Sequence, residues 1–206
     1  MLFNGSFIFP PRPATGSVVP DGALFRQYEQ SGFWIAQAKL NGSNTVAWIK
    51  KSQIKLWNRH GQKSSYEIPK SLASFLVEHF DDCVVNFELL HKRTRHIKDT
   101  IYLYDILVHE GEWLVSRTYW DRFDLLKSLL PPAVPLMRLP VDSVAPSVWL
   151  ARCIPGPWGK LYGRYGQIPE FEGLILKKLT GRLEPGMREK NNGLWSLRAR
   201  KKVGKN

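Results

Sequence analysis

The sequence predicts an α+β protein, with antiparallel β-sheets and flanking helices. The first observation is that runs rich in β-branched and aromatic residues recur along the chain and are separated by short turns. The second is that only two segments space their apolar residues as an amphipathic helix does. Several hairpins and few helices are therefore expected.

The predicted strands extend from the N-terminal part of the chain to its end. Thr, Val, Ile and Trp supply β-type side chains in the first two, which read as a pair of strands with Asn41-Gly42 as a turn within the first. Residues 109–112 read as a second turn. The strands are predicted over 32–47, 52–58, 83–90, 100–108, 113–116, 147–153, 173–179 and 194–201.

Two helices are predicted. The first follows Pro69 and covers 70–80, because its apolar residues fall on one face and two aspartates end it. The second covers 120–130 and stops at Pro131-Pro132. Residues 131–169 contain eight prolines and read as loops or extended segments around the strand predicted at 147–153.

Composition describes a folded protein. The chain has 206 residues, of which 43% are hydrophobic and 12% aromatic, enough for one packed domain over 1–206. The N-terminus lacks the pattern of a secretory leader, and no 18 apolar residues run together, so an intracellular protein without a membrane span is expected. The two cysteines predict neither a disulfide framework nor a zinc site.

The net charge of +12 predicts a polyanionic partner, in particular a nucleic acid. Ten Lys and Arg residues, against two acidic residues, lie in the last 30 positions. A basic terminus is as often a solvated tail as a binding surface. Here residues 194–200 alternate apolar and basic side chains as a strand does, which would direct several cations to one place.

Lys39 lies at the end of an apolar run and just before the Asn41-Gly42 turn. A lysine placed in this way is usually a solvated residue of a hairpin. It can also be a covalent nucleophile, because a strand holds its amine at a defined place.

Six motifs follow one another in an order that resembles the covalent nucleotidyltransferases. This superfamily contains ATP-dependent DNA ligases, RNA ligases and messenger RNA capping enzymes. The similarity extends over residues 30–202 and implies a ligase-type, ATP-grasp-like nucleotidyltransferase domain without a C-terminal OB-fold domain. The motifs are Lys39-Leu-Asn-Gly42, Trp57-Asn-Arg-His-Gly61, Val85-Asn-Phe-Glu-Leu89, Leu103-Tyr-Asp-Ile-Leu107, Glu172-Gly-Leu-Ile-Leu-Lys177 and Leu197-Arg-Ala-Arg-Lys201.

The resemblance implies a covalent mechanism. Lys39 would attack the α-phosphate of ATP and store the nucleotide as a phosphoramidate. Glu172 and Glu88 would hold Mg²⁺ or Mn²⁺, since such ions take carboxylate oxygens together with water and nucleotide phosphates. Lys177 would contact the α-phosphate or the leaving pyrophosphate.

The same resemblance implies a set of nucleotide-binding residues. Tyr104 would stack on the base, and Arg59 would bind the ribose or a terminal phosphate of the substrate. Phe87 departs from the family pattern, which usually has Gly there, and Arg198 and Arg200 stand in place of lysines. The implied set is Gln37, Ala38, Asn41, Gly42, Asn44, Arg59, Glu88, Tyr104, Lys177, Arg198 and Arg200.

The nucleic-acid substrate stays open at this level. Asn44 resembles the pattern of nick-sealing RNA ligases, whereas the motif at Tyr104, the 122–130 helix and residues 184–188 resemble DNA ligases. The expected reaction joins a 5′-phosphate to a 3′-hydroxyl in nicked DNA or RNA, with a protein partner or the basic terminus in the place of the OB-fold domain. A GTP-using capping enzyme and an inactive nucleic-acid-binding relative are the alternatives.

Overall fold

The computed structural model describes residues 2–14, 17–183 and 192–200, and it confirms the α+β fold. The helices within these residues are Ala23–Gln30 (α1), Lys70–His79 (α2), Tyr119–Ser128 (α3) and Trp158–Tyr165 (α4). The strands are Arg12–Pro13 (β1), Trp34–Leu40 (β2), Ser43–Lys50 (β3), Gln53–Asn58 (β4), Cys83–Leu90 (β5), Thr100–His109 (β6), Glu112–Trp113 (β7), Val134–Pro135 (β8), Val141–Ala145 (β9), Val148–Ala151 (β10), Phe171–Lys178 (β11), Asn192–Gly193 (β12) and Ser196–Ala199 (β13).

The strands form two main sheets. The larger sheet has the order β4-β3-β5-β6-β10-β9-β8, with β7 beside β6, and the smaller one has the order β13-β11-β2. Neighbouring strands in both sheets are antiparallel, except for β10 and β6. Antiparallel sheets are thus the main framework, as the sequence predicted.

The main hydrophobic core receives buried side chains from both sheets and from all four helices described. A second cluster lies on the other face of the larger sheet. There Val46 and Val84 point away from the side that Ala47 and Val85 occupy, as successive residues of a strand do. Aromatic residues near the N-terminus, such as Phe7, cover this second cluster.

The prediction that residues 32–47 pair as a unit with 52–58 was wrong. Of the two strands that this segment forms or begins, β3 pairs with β4, whereas β2 lies in the smaller sheet beside β11. The chain crosses between the sheets at Asn41-Gly42, where β5 passes very close: a Cβ on Gly42 would lie 2.6 Å from Cγ of Glu88. A glycine is therefore required at the crossing. Lys39 is consequently not a residue of an open hairpin.

Several shorter elements also differ from the prediction. Helices α1 and α4 were not predicted, because eight residues are too few to establish a helical period, and α4 lies in the proline-rich segment expected to be loops or extended. Strand β9 was missed in the same segment. Strand β7 is only two residues long. In the described part of the chain, no helix is long and apolar enough to cross a membrane.

Two predicted features extend beyond the described residues. Strand β13 ends at Ala199, whereas the predicted strand covers 194–201. Lys201 lies outside the described residues. Residues 184–188, which resemble DNA ligases, also lie outside.

Arg122 and Asp105 form a buried ion pair that fastens α3 to β6. The guanidinium donates two hydrogen bonds to the carboxylate, at 2.9 and 3.0 Å, and a third to the Arg117 carbonyl at 2.9 Å. Thr118 and Asp121 form a capping box at the start of the same helix. Since both charges of the pair are almost inaccessible to water, the loss of one leaves the other without compensation.

We expect Arg122→Met to lower the free energy of unfolding by about 3 to 5 kcal/mol. The matched control is Arg152→Met, which breaks the partly exposed Arg152–Asp142 pair and should cost about 1 kcal/mol or less. Urea unfolding of both variants measures the difference. Equal, small losses in the two proteins would show that the Arg122 pair does not hold α3 in place.

Candidate active site

A cavity of about 800 Å³ opens between the two sheets. Its walls come from β2, β11 and β13 of the smaller sheet and from β3, β5 and β6 of the larger one. A volume of this size is typical of a site for a small molecule or cofactor. The predicted site residues that line it are Gln37, Ala38, Lys39, Gly42, Asn44, Arg59, Glu88, Tyr104, Glu172, Lys177, Arg198 and Arg200.

Lys39 and Glu172 form an ion pair at one end of this cavity. The strand register places Lys39 opposite Gly173, and an irregularity in β11 between Phe171 and Gly173 turns Glu172 toward the amine. Gly173 has φ of +138°, and a Cβ there would lie 2.4 Å from the Ala199 carbonyl oxygen. The glycine of this motif thus serves the close packing of three strands beside the lysine.

Glu88 is a second carboxylate in the same group. Burial raises the pKa of Glu88 to about 7; nearby Lys39 lowers it and the Glu172 carboxylate raises it. The preceding residue, Phe87, is buried in the core and does not line the cavity. The departure from the family pattern at Phe87 therefore adds bulk to the core, on the opposite side of β5 from Glu88.

The two carboxylates suit a magnesium-type ion. They are oxygen donors on facing sheets, and they are close enough for the charge of Glu172 to raise the pKa of Glu88. Within 2–14, 17–183 and 192–200, no group of three or more His, Cys, Asp or Glu could hold a metal on its own. An ion bound by Glu88 and Glu172 would therefore take its other ligands from water and phosphate, as Mg²⁺ commonly does.

Lys177 and Tyr104 lie deeper in the cavity. The Lys177 amine is 4.1 Å from the ring centre of Tyr119 and 4.9 Å from that of Tyr104. Burial lowers the pKa of Lys177 to about 8, an effect that the charge of Asp105 opposes. The Tyr104 hydroxyl accepts a hydrogen bond from the Asn44 amide, which fixes the ring. This end of the cavity thus offers an amine of reduced basicity beside aromatic surfaces.

Gln37 and Asn41 are placed differently from the rest of the predicted set. Gln37 is only 2% exposed, and its amide nitrogen donates to the Tyr119 hydroxyl at 2.7 Å and to the Cys153 sulfur at 3.4 Å. Asn41 does not line the cavity; its backbone N–H donates to the Glu170 carbonyl at 3.0 Å. The structure therefore does not bring the Asn41 side chain to the site.

Arginines surround the outer part of the cavity. Burial lowers the pKa of Arg198, as do the neighbouring charges of Arg200 and Arg59. The Arg198 Nε is buried without a hydrogen-bond partner among the described residues. Lys201 and Lys202, which adjoin this motif in the sequence, lie outside those residues. Several positive charges thus converge where an anion would relieve their repulsion.

The lining residues that were not predicted from the sequence include two arginines and a tryptophan. Arg12 comes from the N-terminal segment, Arg93 from the loop after β5, and Trp195 from the turn before β13. Trp195 is stacked with Tyr119, with their ring centres 6.0 Å apart. The signal for Arg12 is a cation between two prolines; that for Trp195 is the alternation in residues 194–200.

Comparison with solved structures identifies the fold. Mycobacterial DNA ligase D in complex with ATP and MES matches with a TM-score of 0.61 and 20% identity, over 93% of this chain and 60% of that one. The ligase domain of M. tuberculosis LigD matches with a TM-score of 0.64 and 19% identity, over 93% of this chain and 59% of that one. The chain has the fold of a DNA ligase domain. It spans about three fifths of the length of these two structures.

A structure of the Lig E DNA ligases, described as binding DNA with a minimal scaffold, matches with a TM-score of 0.54 and 10% identity, over 93% of this chain and 70% of that one. No protein-family model and no curated protein matches the sequence. The ligase-type fold agrees with the order of the six sequence motifs.

Glu88 predicts a specific pH dependence of stability. Its pKa in the folded protein, about 7, lies above the ordinary value of 4.5, so the native state favours the protonated acid. This contribution is fully present below pH 4.5 and is lost as pH rises through about 7. Relative to Glu88→Gln, the wild-type protein should lose about 1 to 3 kcal/mol of unfolding free energy across that window.

Urea unfolding of both proteins at about pH 5 and about pH 8 measures this difference. Asp124→Asn, a change on α3 outside the cavity, is the control and should follow the wild-type profile. Parallel profiles for wild type and Glu88→Gln would mean that Glu88 ionises at no cost to the fold.

Proposed function

We propose that this protein is an ATP-dependent polynucleotide ligase that works through a lysyl-AMP intermediate. The observation that carries the proposal is the position of the Lys39 amine. It lies in the cavity between the sheets, paired with Glu172 and close to Glu88, with Lys177 and the arginines around it. A solvated hairpin lysine would have none of these neighbours.

The first step would load the nucleotide. The Lys39 nitrogen attacks the α-phosphorus of ATP, an N–P bond forms, and the P–O bond to pyrophosphate breaks. A lysine ammonium has no lone pair with which to attack, so one proton must leave before the attack and a second must leave once the N–P bond has formed. Glu172, which already accepts the hydrogen bond of Lys39, is placed to receive the first proton, and solvent would take the second. Glu172 would thus orient the amine and accept its first proton.

Charge develops on phosphate oxygens during this step, and the surrounding cations would stabilise it. Lys177 and Arg198 approach from the smaller sheet, on adjacent strands β11 and β13. A magnesium ion held by Glu88 and Glu172 would supply further positive charge to the phosphates. Positioning and electrostatic stabilisation are most of what phosphoryl transfer requires of a protein.

Two transfers to nucleic acid would follow. An oxygen of a 5′-phosphate attacks the AMP phosphorus and releases the lysine; a 3′-hydroxyl then attacks the activated 5′-phosphorus and releases AMP. The net charge of +12 favours a polyanionic substrate. The similarity in fold to proteins named as DNA ligases supports DNA, whereas Asn44 beside Tyr104 retains the feature that resembles RNA ligases.

Incubation with ATP and Mg²⁺ should increase the intact mass by one AMP. Lys39→Ala should abolish the adduct, and Lys178→Ala should leave it unchanged, since Lys178 is an exposed residue of β11 outside the cavity. Electrospray mass spectrometry measures the adduct, with GTP offered in a parallel sample. Labelling by GTP but not by ATP would indicate a capping-type enzyme instead of a ligase. Labelling by neither nucleotide would leave only a nucleic-acid-binding role.

The substrate is tested with four nicked duplexes, carrying DNA or RNA on the 5′-phosphate side and on the 3′-hydroxyl side. We expect pre-adenylylated protein to seal at least one of them in a single turnover, and more weakly as salt rises because phosphate contacts displace counterions. Denaturing gels measure the sealed strand. If the AMP adduct forms but is transferred to none of the duplexes, the ligase assignment fails at this step.

A further inference from the structure

The N-terminal segment crosses from the larger sheet to the smaller one beside the cavity. On the larger sheet, Phe7 packs against Trp57 with ring centres 5.9 Å apart. On the smaller sheet, the N–H of Ala14 donates to the Ser196 carbonyl at 2.8 Å, and that of Val18 donates to the Arg198 carbonyl at 2.7 Å. We call its described residues, 7–14 with 17 and 18, the N-terminal strap.

Arg12 lies in the middle of this strap and lines the cavity. Pro11 and Pro13 flank it, and their fixed φ angles restrict the backbone that carries it. Strand β1 pairs in parallel with β12, and the Ala14–Ser196 hydrogen bond just after β1 ties it to the smaller sheet. The Nη2 of Arg12 donates to the Arg59 carbonyl at 3.3 Å, so the Arg12 guanidinium lies next to the turn that carries Arg59.

The strap also contacts Arg198 of β13 and Arg200, which follows the strand. Arg198 donates through Nη2 to the Ala14 carbonyl at 3.1 Å, and Arg200 donates through Nε to the Ser17 hydroxyl at 3.3 Å. Arg12, Arg59, Arg198 and Arg200 therefore come from three separate parts of the chain and line one cavity. We call these four residues the arginine rim.

The carboxylates that line the cavity lie beside other cations. Asp105 is paired with Arg122, and Glu172 with Lys39, so both are already neutralised. Glu88 lies near Lys39 and Arg93. Among the described residues, the arginine rim thus brings four guanidinium groups to one cavity whose carboxylates already lie beside other cations, and guanidinium groups match the geometry of phosphate oxygens.

We propose that Arg12 is a further phosphate-binding residue, which the N-terminal strap adds to the arginine rim to bind a terminal phosphate group. This inference rests on the proposed ligase function for the identity of the ligand. Two sources share the chemistry: the β- and γ-phosphates of the nucleotide, and the 5′-phosphate at a nick. Both would extend outward from a phosphorus atom held at Lys39.

The test uses Arg12→Gln, which keeps a donor for the Arg59 carbonyl and removes the charge. Three probes are titrated against the full chain: inorganic pyrophosphate, a nicked duplex with a 5′-phosphate, and the same duplex with a 5′-hydroxyl. If the nucleotide tail is the ligand, Arg12→Gln should weaken pyrophosphate binding roughly 10- to 100-fold. If the nick is the ligand, the preference for 5′-phosphate over 5′-hydroxyl should fall by about the same factor.

Two control variants accompany this test. Arg12→Lys keeps the charge and should recover part of the lost affinity, while Arg138→Gln removes an exposed arginine outside the cavity and should change nothing. Unchanged pyrophosphate affinity and an unchanged 5′-phosphate preference in Arg12→Gln would overturn the inference. An equal loss of affinity for both duplexes with unchanged pyrophosphate binding would also overturn it, because Arg12 would then contact internal phosphates. A lowered melting temperature with an equal loss of affinity for all three probes would overturn it as well, because the change would then be structural.

The binding readouts need no covalent chemistry. If the wild-type protein forms no AMP adduct but Arg12→Gln changes these affinities as expected, the proposed ligase function fails and the phosphate-binding role of Arg12 stands. If the adduct forms and the affinities do not change, the reverse holds.

Discussion

The antiparallel pairing of β2 with β11 is the constraint on which the site depends. Its register sets Lys39 opposite Gly173 with Glu172 turned toward the amine, so that it brings together Lys39 and Glu172, which are 133 positions apart in the chain. Glycine at 173 lets the backbone of β13 approach to a distance that a side chain would prevent. Because β13 then lies on the other edge of β11, Arg198 of β13 and the following Arg200 line the same cavity. One strand pairing thus determines where Lys39, a carboxylate and several cations lie.

Three ionisable groups of the site have pKa values shifted away from their charged forms. Burial raises the pKa of Glu88 and lowers the pKa values of Lys177 and Arg198, and the charges of neighbouring arginines lower that of Arg198 further. Each of these groups is less stable in its charged form than in water. A bound nucleoside triphosphate with a metal ion would offset the cost of charge on all three groups, because phosphate oxygens would lie near Lys177 and Arg198 and the metal ion near Glu88. The site is therefore better matched to a bound polyphosphate than to water.

The sequence predicted the fold class and the lining of the cavity better than it predicted the connections. Lys39, Glu172 and Lys177 could be located because short motifs fix their local spacing. The crossing at Asn41-Gly42 was misjudged, since an Asn-Gly turn alone does not distinguish a hairpin from a passage between sheets. Helix α4 has too few residues for a period to be read. Arg12 reaches the site through long-range pairing of the strap, and the Pro-Arg-Pro sequence does not show where that pairing occurs.

Peptide mapping of the protein after incubation with ATP and a divalent metal identifies the residue that carries the nucleotide. We predict one AMP, joined through a phosphoramidate to the peptide that contains Lys39, with the modified nitrogen assigned by fragmentation. We also expect less adduct in Glu172→Gln, because that change removes the carboxylate paired with the amine. An adduct on Lys177, on another lysine, or on no residue would show that Lys39 is not the nucleophile.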